Sequence, residues 1–283
     1  MKKITTGVLM GLLLTGCQST SDITELEVQK PNVLVSQQAY KLMVEELSSG
    51  LFEVQILNHH HDAHHFTPTA KDIVDINESN LFVYQSQVQD PWFNSQNKTQ
   101  GSSLAMLEQA NIKDLKVQDP HLWIEPQVAK IAASNIAASL TRLLPESQTE
   151  LKTNLANFHA KLDAVHTEAT QAFANCEHKE VLVSHNAFEF IAAEHGFAIE
   201  SIHGVDHHHE PSAGHVDELI SHHGEGEYLL VDQNEVHDFA EVIKEESHLE
   251  ILEVDVMESK SDQDYFTRLN TNFYAFKKAL HCN

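Results

Sequence analysis

Between 146 and 173 the chain runs through 28 residues with no glycine and no proline, in a pattern that reads as helix throughout. A helix of that length reaches ~40 Å, about the diameter of a domain. Pro145 stands just ahead of it, where a proline suits a first helical turn, and the helical pattern already begins at 126. Such a helix is either a coiled-coil arm or a connector between two lobes. Its flanks favour the connector. Before it come short apolar strands at 33–35, 52–57 and 81–84, interleaved with helical patterns whose apolar positions include Tyr40, Met43, Val44 and Leu47. Gly50 stops the first helix, the stretch Thr67-Pro68-Thr69 opens another, and a helix is expected over 102–110. After it come strands at 181–183, 198–202, 228–231 and 249–256, alternating with helices at 187–195, 211–220, 236–246 and 264–281. Strands alternating with helices imply parallel sheets. The expected fold class is therefore α/β: two doubly wound α/β lobes joined by one long connecting helix. The lobes are expected at 32–145 and 175–283, with the connector at 146–174. No sequence repeat of fixed period appears.

The first residues form a targeting segment. Lys2 and Lys3 precede a mostly apolar run over 4–14, too short to anchor stably across a bilayer. The run ends in Leu14-Thr15-Gly16-Cys17, which resembles the lipobox of bacterial lipoproteins. That resemblance implies a signal peptide over 1–16, lipidation of Cys17, and a polar tether over 17–31. The membrane is then touched through the lipid alone, at the periplasmic or cell-surface face. The whole chain carries 18 Lys and Arg against 42 Asp and Glu, a formal charge of −24. Loss of the two lysines takes it to −26. Such a charge disfavours nucleic acid and anionic membrane surfaces and suits a protein that handles cations, or simply an acidic soluble one. Export leaves Cys176 and Cys282 as an even pair in an oxidising compartment. A bridge between them would close a loop of about 105 residues, worth at most ~4–5 kcal/mol. The alternative is two thiols. Neither cysteine has zinc-knuckle spacing.

The 21 histidines cluster at 59–65, at 203–209 and at 222–223. Three of the histidines sit just past strand ends or in the loops after them. His64 comes after the strand 52–57, His121 lies in Asp119-Pro120-His121-Leu122-Trp123, and His185 directly follows Val183-Ser184. Doubly wound sheets hold their ligands beyond the carboxyl ends of strands, so these three imidazoles could meet at one ion.

With these residues in view the chain resembles the metal-binding lipoproteins of bacterial ABC importers that capture zinc or manganese. The stretch 62–72, Asp-Ala-His-His-Phe-Thr-Pro-Thr-Ala-Lys-Asp, follows that family's first motif, and residues 119–123 its Asp-Pro-His-x-Trp motif. The third and fourth family stretches stand as Val183-Ser184-His185-Asn186-Ala187-Phe188 and Glu210-Pro211-Ser212-Ala213. The resemblance spans nearly all of the mature chain, in order. It implies metal in an interlobe cleft, held by His64 and His121 from the first lobe and His185 from the second. It places Asp255 at a fourth position, with Asp232 and Glu235 as alternatives. Ala63 replaces the usual proline before the first ligand, so a slip from His64 to His65 stays open. A histidine at the third position goes with zinc in the family, and a glutamate with manganese. Neutral imidazole also suits zinc on general grounds.

The implied task is binding: capture of extracytoplasmic zinc, as transported ligand, by a monomer that delivers it to an ABC permease. The other readings are a zinc buffer or chaperone without a permease, a manganese-type importer protein, and a zinc hydrolase. The last is disfavoured because no His-Glu-x-x-His helix is present. The remaining clusters, His59, His60 and His61 and then His207, His208 and His209, are either exposed loop residues or a metal-collecting surface. They do not stand where the family carries its His-rich loop, since 85–118 lack histidine. Affinity should fall as pH drops through the ordinary histidine range near ~6.5.

Overall fold

The chain folds around two four-stranded parallel sheets of the same topology. The computed structural model describes residues 29–57, 66–94, 98, 100–113, 115, 117, 119–203, 212–223, 227–233 and 249–283. Cys17, His59, His60, His61, His64, His65, His207, His208, His209, Glu235 and the helix expected over 236–246 lie outside the described residues.

The first sheet has the order β2-β1-β3-β4, with β1 at Asn32–Val35, β2 at Glu53–Ile56, β3 at Leu81–Tyr84 and β4 at Ser102–Ala105. The two inner strands carry runs that are apolar on both faces, Val33-Leu34-Val35 and Leu81-Phe82-Val83-Tyr84, and bury them. Continuous apolar runs are what parallel strands covered on both sides require. The edge strand β2 instead alternates exposed and half-buried positions. Helix α1 (Gln38–Ser48) buries Tyr40, Met43, Val44 and Leu47 on one face. Helix α2 (Ala70–Glu78) starts with a capping box: Thr69 accepts from the Asp72 N–H, and the Thr69 N–H donates to Asp72 at 2.7 Å. Asp72, prominent in the first motif, thus acts as a helix cap.

The helix expected over 102–110 is half strand. Ser102–Ala105 is β4, and only Ala110–Lys113, α3, is helical. Gly101 adopts φ +65°, and a Cβ there would collide with the carbonyl oxygens of Ser79 and Asn80. The Ser102 N–H then donates to Asn80 O at 2.9 Å. The open edge of β3 draws this segment into the sheet, a tertiary effect that outweighs its weak helical pattern.

Helix α4 (Pro126–Leu143) begins with proline at its first turn and Glu125 as its cap, accepting from the Val128 N–H at 2.9 Å. Helix α5 (Gln148–Phe173) has 26 residues, so it is ~39 Å long. It buries the stripe Leu151, Phe158, Leu162, Ala169 and Phe173 against α1, α4 and the last helix, α8 (Tyr265–Ala279).

The second sheet has the order β6-β5-β7-β8, with β5 at Glu180–His185, β6 at Ala198–His203, β7 at Tyr228–Asp232 and β8 at Glu250–Val254. Helix α6 (Glu189–His195) follows β5 and ends at Gly196, φ +75°. Helix α7 (Ala213–His222) follows β6. Cys176 and Cys282 form a disulfide that ties the start of this lobe to its carboxyl end. One contiguous cluster of buried apolar side chains runs from Val33 and Leu81 through Trp123, Phe158 and Leu162 to Val183, Phe188, Tyr265 and Phe276. Both lobes and the connecting helix therefore share a core. Among the described residues no helix is long and apolar enough to cross a membrane.

Candidate metal centre between the lobes

β5 is the strand at which the second sheet reverses its order, having β6 on one side and β7 on the other. Sheets of this kind bind ligands at that switch point, beyond the carboxyl end. His185 is the last residue of β5 and is buried. His121 reaches the same place from the first lobe. The two Nε2 atoms stand 3.2 Å apart, with the rings nearly perpendicular at 81°. Glu258, three residues beyond Asp255, brings Oε1 to 3.4 Å from His121 Nε2. His121 Nε2 thus has an imidazole nitrogen of the second lobe on one side and a carboxylate oxygen on another.

The motif around His121 holds that geometry. Asp119 is buried, and its Oδ1 lies 2.7 Å from His121 Nδ1 while accepting from the His121 backbone N–H at 2.8 Å. A carboxylate on Nδ1 fixes the ring and leaves Nε2 to face a metal, the usual outer partner of a ligating histidine. Asp119 Oδ2 accepts from the Glu189 N–H at 3.0 Å, so the same carboxylate reaches into the second lobe. Trp123 Nε1 donates to Val256 O at 2.8 Å, and the Tyr265 hydroxyl donates to Trp123 O. The Tyr40 hydroxyl donates to Gln85, and Gln85 Nε2 donates to Pro120 O, which secures the backbone just ahead of His121. Besides carrying the candidate ligand His121, Asp-Pro-His-x-Trp is thus a bolt between lobes. Sequence reasoning read only the ligand.

Burial acts to lower the His121 pKa, but the Asp119 and Glu258 carboxylates outweigh it and hold it up at about 10. The two carboxylates thus favour the protonated form of His121. The competition between metal and proton extends well above the ordinary histidine range.

Asp255, expected at a fourth position, faces Arg268. Both Asp255 oxygens pair with Arg268, each at 2.6 Å, and both residues are buried. Gln233 Nε2 and the Met257 N–H also donate to this carboxylate, at 2.6 and 2.8 Å. Asp255 is committed to the interior ion pair. The alternative Asp232 accepts from the Val256 N–H at 3.1 Å and is buried too. Glu258 is the carboxylate brought to His121. Its signal in the sequence was its nearness to Asp255, just past the strand end.

Comparison with known proteins gives these observations a family. The model of the family described as "Zinc-uptake complex component A periplasmic" (ZnuA) matches residues 33–279. The chain is 27% identical over 178 residues to the high-affinity zinc uptake system protein ZnuA of Bacillus subtilis, covering 56% of each chain. It is 24% identical over 249 residues to the zinc-binding protein AdcA of Streptococcus pyogenes, covering 75% of this chain and 48% of that one. It therefore spans about half the length of these curated relatives. Among solved structures, the laminin-binding protein of Streptococcus agalactiae has a TM-score of 0.80 at 23% identity, over 88% of this chain and 99% of that chain.

Proposed function

This chain belongs to the zinc-uptake complex component A family, and from that premise we propose that it captures extracytoplasmic zinc between its lobes and hands it to the permease of an ABC-type importer. The observation that carries the reading is that His121 meets both His185 of the other lobe and the Glu258 carboxylate through its Nε2. His64 is the third imidazole of the reading, with His65 its neighbour in the same motif. Glu258 takes the fourth position in place of Asp255. Three imidazoles and one carboxylate make a closed tetrahedral set of the donor types zinc prefers. A closed set leaves no open position for substrate chemistry, and the relatives carry zinc-binding and zinc-uptake names. The lipid on Cys17 holds the protein at the outer face of the membrane, and it acts as a monomer.

A calorimetric zinc titration with manganese as competitor tests the reading. The unaltered protein should bind one zinc tightly at the cleft and resist exchange by manganese. His121→Ala should abolish that site. Survival of the tight site in His121→Ala, or preferential binding of manganese, overturns the proposal.

A further inference from the structure

The histidine pair at 222–223 takes no part in the cleft. It lies where α7 ends and the chain approaches the amino end of β7. Ser212 caps the start of α7 by accepting from the His215 N–H, and the buried Leu219 packs it onto Leu182 and Ile202. Glu200 shares a face of β6 with Ile202, because side chains alternate along a strand. The end of α7 is thereby set over Glu200.

His222 Nδ1 lies 3.1 Å from both Glu200 oxygens, and His223 Nε2 lies 2.9 Å from Glu200 Oε2. His223 Nδ1 is 2.8 Å from Glu227 Oε2. One donor atom from each of Glu200, His222 and His223 falls within 4.8 Å of the others. His223 carries the argument furthest. Its side chain is only 8% exposed, and both ring nitrogens face carboxylates. A neutral imidazole has one N–H, so it can satisfy only one of two acceptors. With a cation on Nε2, shared with Glu200, the Nδ1–H donates to Glu227. That is the carboxylate–histidine–metal arrangement.

We propose that Glu200, His222 and His223 form a second zinc site on the outer face of the carboxyl-terminal lobe, with Glu227 orienting His223. Two nitrogens and one oxygen, with a fourth position for water, suit a borderline cation such as zinc better than calcium or magnesium. Zinc bonds of ~2.0–2.2 Å in a tetrahedron hold donors about 3.3 Å apart, so the cluster needs only small side-chain movements to close. The His222 side chain is 55% exposed and that of Glu200 31%, which gives the ion a direct path from solvent. The buried pair in the cleft has no such exposure. The second site is therefore the exchangeable one. A zinc ion there joins the end of α7, the edge strand β6 and the segment entering β7.

Zinc titration of four proteins tests this: unaltered, His121→Ala, His222→Ala, and the double variant. His121→Ala should retain a zinc site that weakens at least about ten-fold when His222→Ala is added, while His222→Ala alone leaves the cleft site intact. Glu200→Gln in the His121→Ala background should give the same loss. Cobalt should report the site as a tetrahedral absorption band absent from both double variants. Equal binding by His121→Ala and His121→Ala/His222→Ala, or a cobalt band that survives Glu200→Gln, overturns the proposal. Circular dichroism of the metal-free variants separates loss of the site from unfolding.

Discussion

Asp119 touches no position where an ion would sit, yet it orients His121, and its other oxygen holds the Glu189 N–H. Replacing it with asparagine should cost ~10–100-fold in zinc affinity in a chelator competition while leaving the fold intact. Histidine protonation makes a second prediction. The His121 pKa in the metal-free protein is raised to about 10, so its contribution to stability is complete below ~6.5 and is lost as pH rises through about 10. Metal-free protein should therefore melt at lower temperature at pH 10 than at pH 7 through this group. Zinc affinity should move the other way, rising about ten-fold per pH unit while one proton is displaced. Calorimetry in buffers of different ionisation enthalpy should count that proton; zinc uptake without proton release at pH 7 would contradict the assignment. The ordinary histidine range expected from sequence misses this window, because the carboxylates that move it, Asp119 and above all Glu258, are partners fixed by the fold.

Among elements, the segment from β8 into α8 carries two carboxylates, of which sequence reasoning named only Asp255. Asp255 directly follows β8 and pairs with Arg268 of α8, while Glu258 follows the turn at Met257, φ 61°. Asp255→Ala should destabilise the protein by about 3–5 kcal/mol, because it strands a buried guanidinium. Its zinc affinity per folded molecule should change little. Glu258→Gln should do the reverse, weakening zinc binding with little change in melting temperature. An affinity loss confined to the Asp255 variant would restore that residue to the metal. The elements themselves were mostly legible, because α1, α4, α5 and the buried strands carry clear periodicity. β4 was not. Its four residues have no decisive pattern, and its state depends on the open edge of β3.

For the molecule as a whole, the shared core limits movement. Tyr265 and Trp123 are bound across 142 positions of sequence, and Trp123 and Val256 across 133. With the 26-residue α5 packed on both lobes, domain closure of the hinge type would have to break this packing. Small-angle scattering from metal-free and zinc-loaded protein should superpose within error, and a clear contraction on loading would contradict a rigid frame. The disulfide between Cys176 and Cys282 encloses a separation of 106 positions within the second lobe. Its reduction should lower the melting temperature, with at most ~4–5 kcal/mol at stake on the chain-entropy view.

The amino-acid sequence by itself determined the two α/β sets, the long helix between them, and the histidines at 121 and 185 as candidate ligands. Periodicity and motif spacing are local properties, and each of these features is written within a few tens of residues. The tertiary structure alone decided which carboxylate meets His121, that Trp123 and Asp119 bolt one lobe to the other, and that Glu200 stands beneath His222 and His223. These depend on which strand ends and helix ends are brought together. That is set by packing across the whole chain, where a shift of three positions separates an interior ion pair from a group facing the cleft.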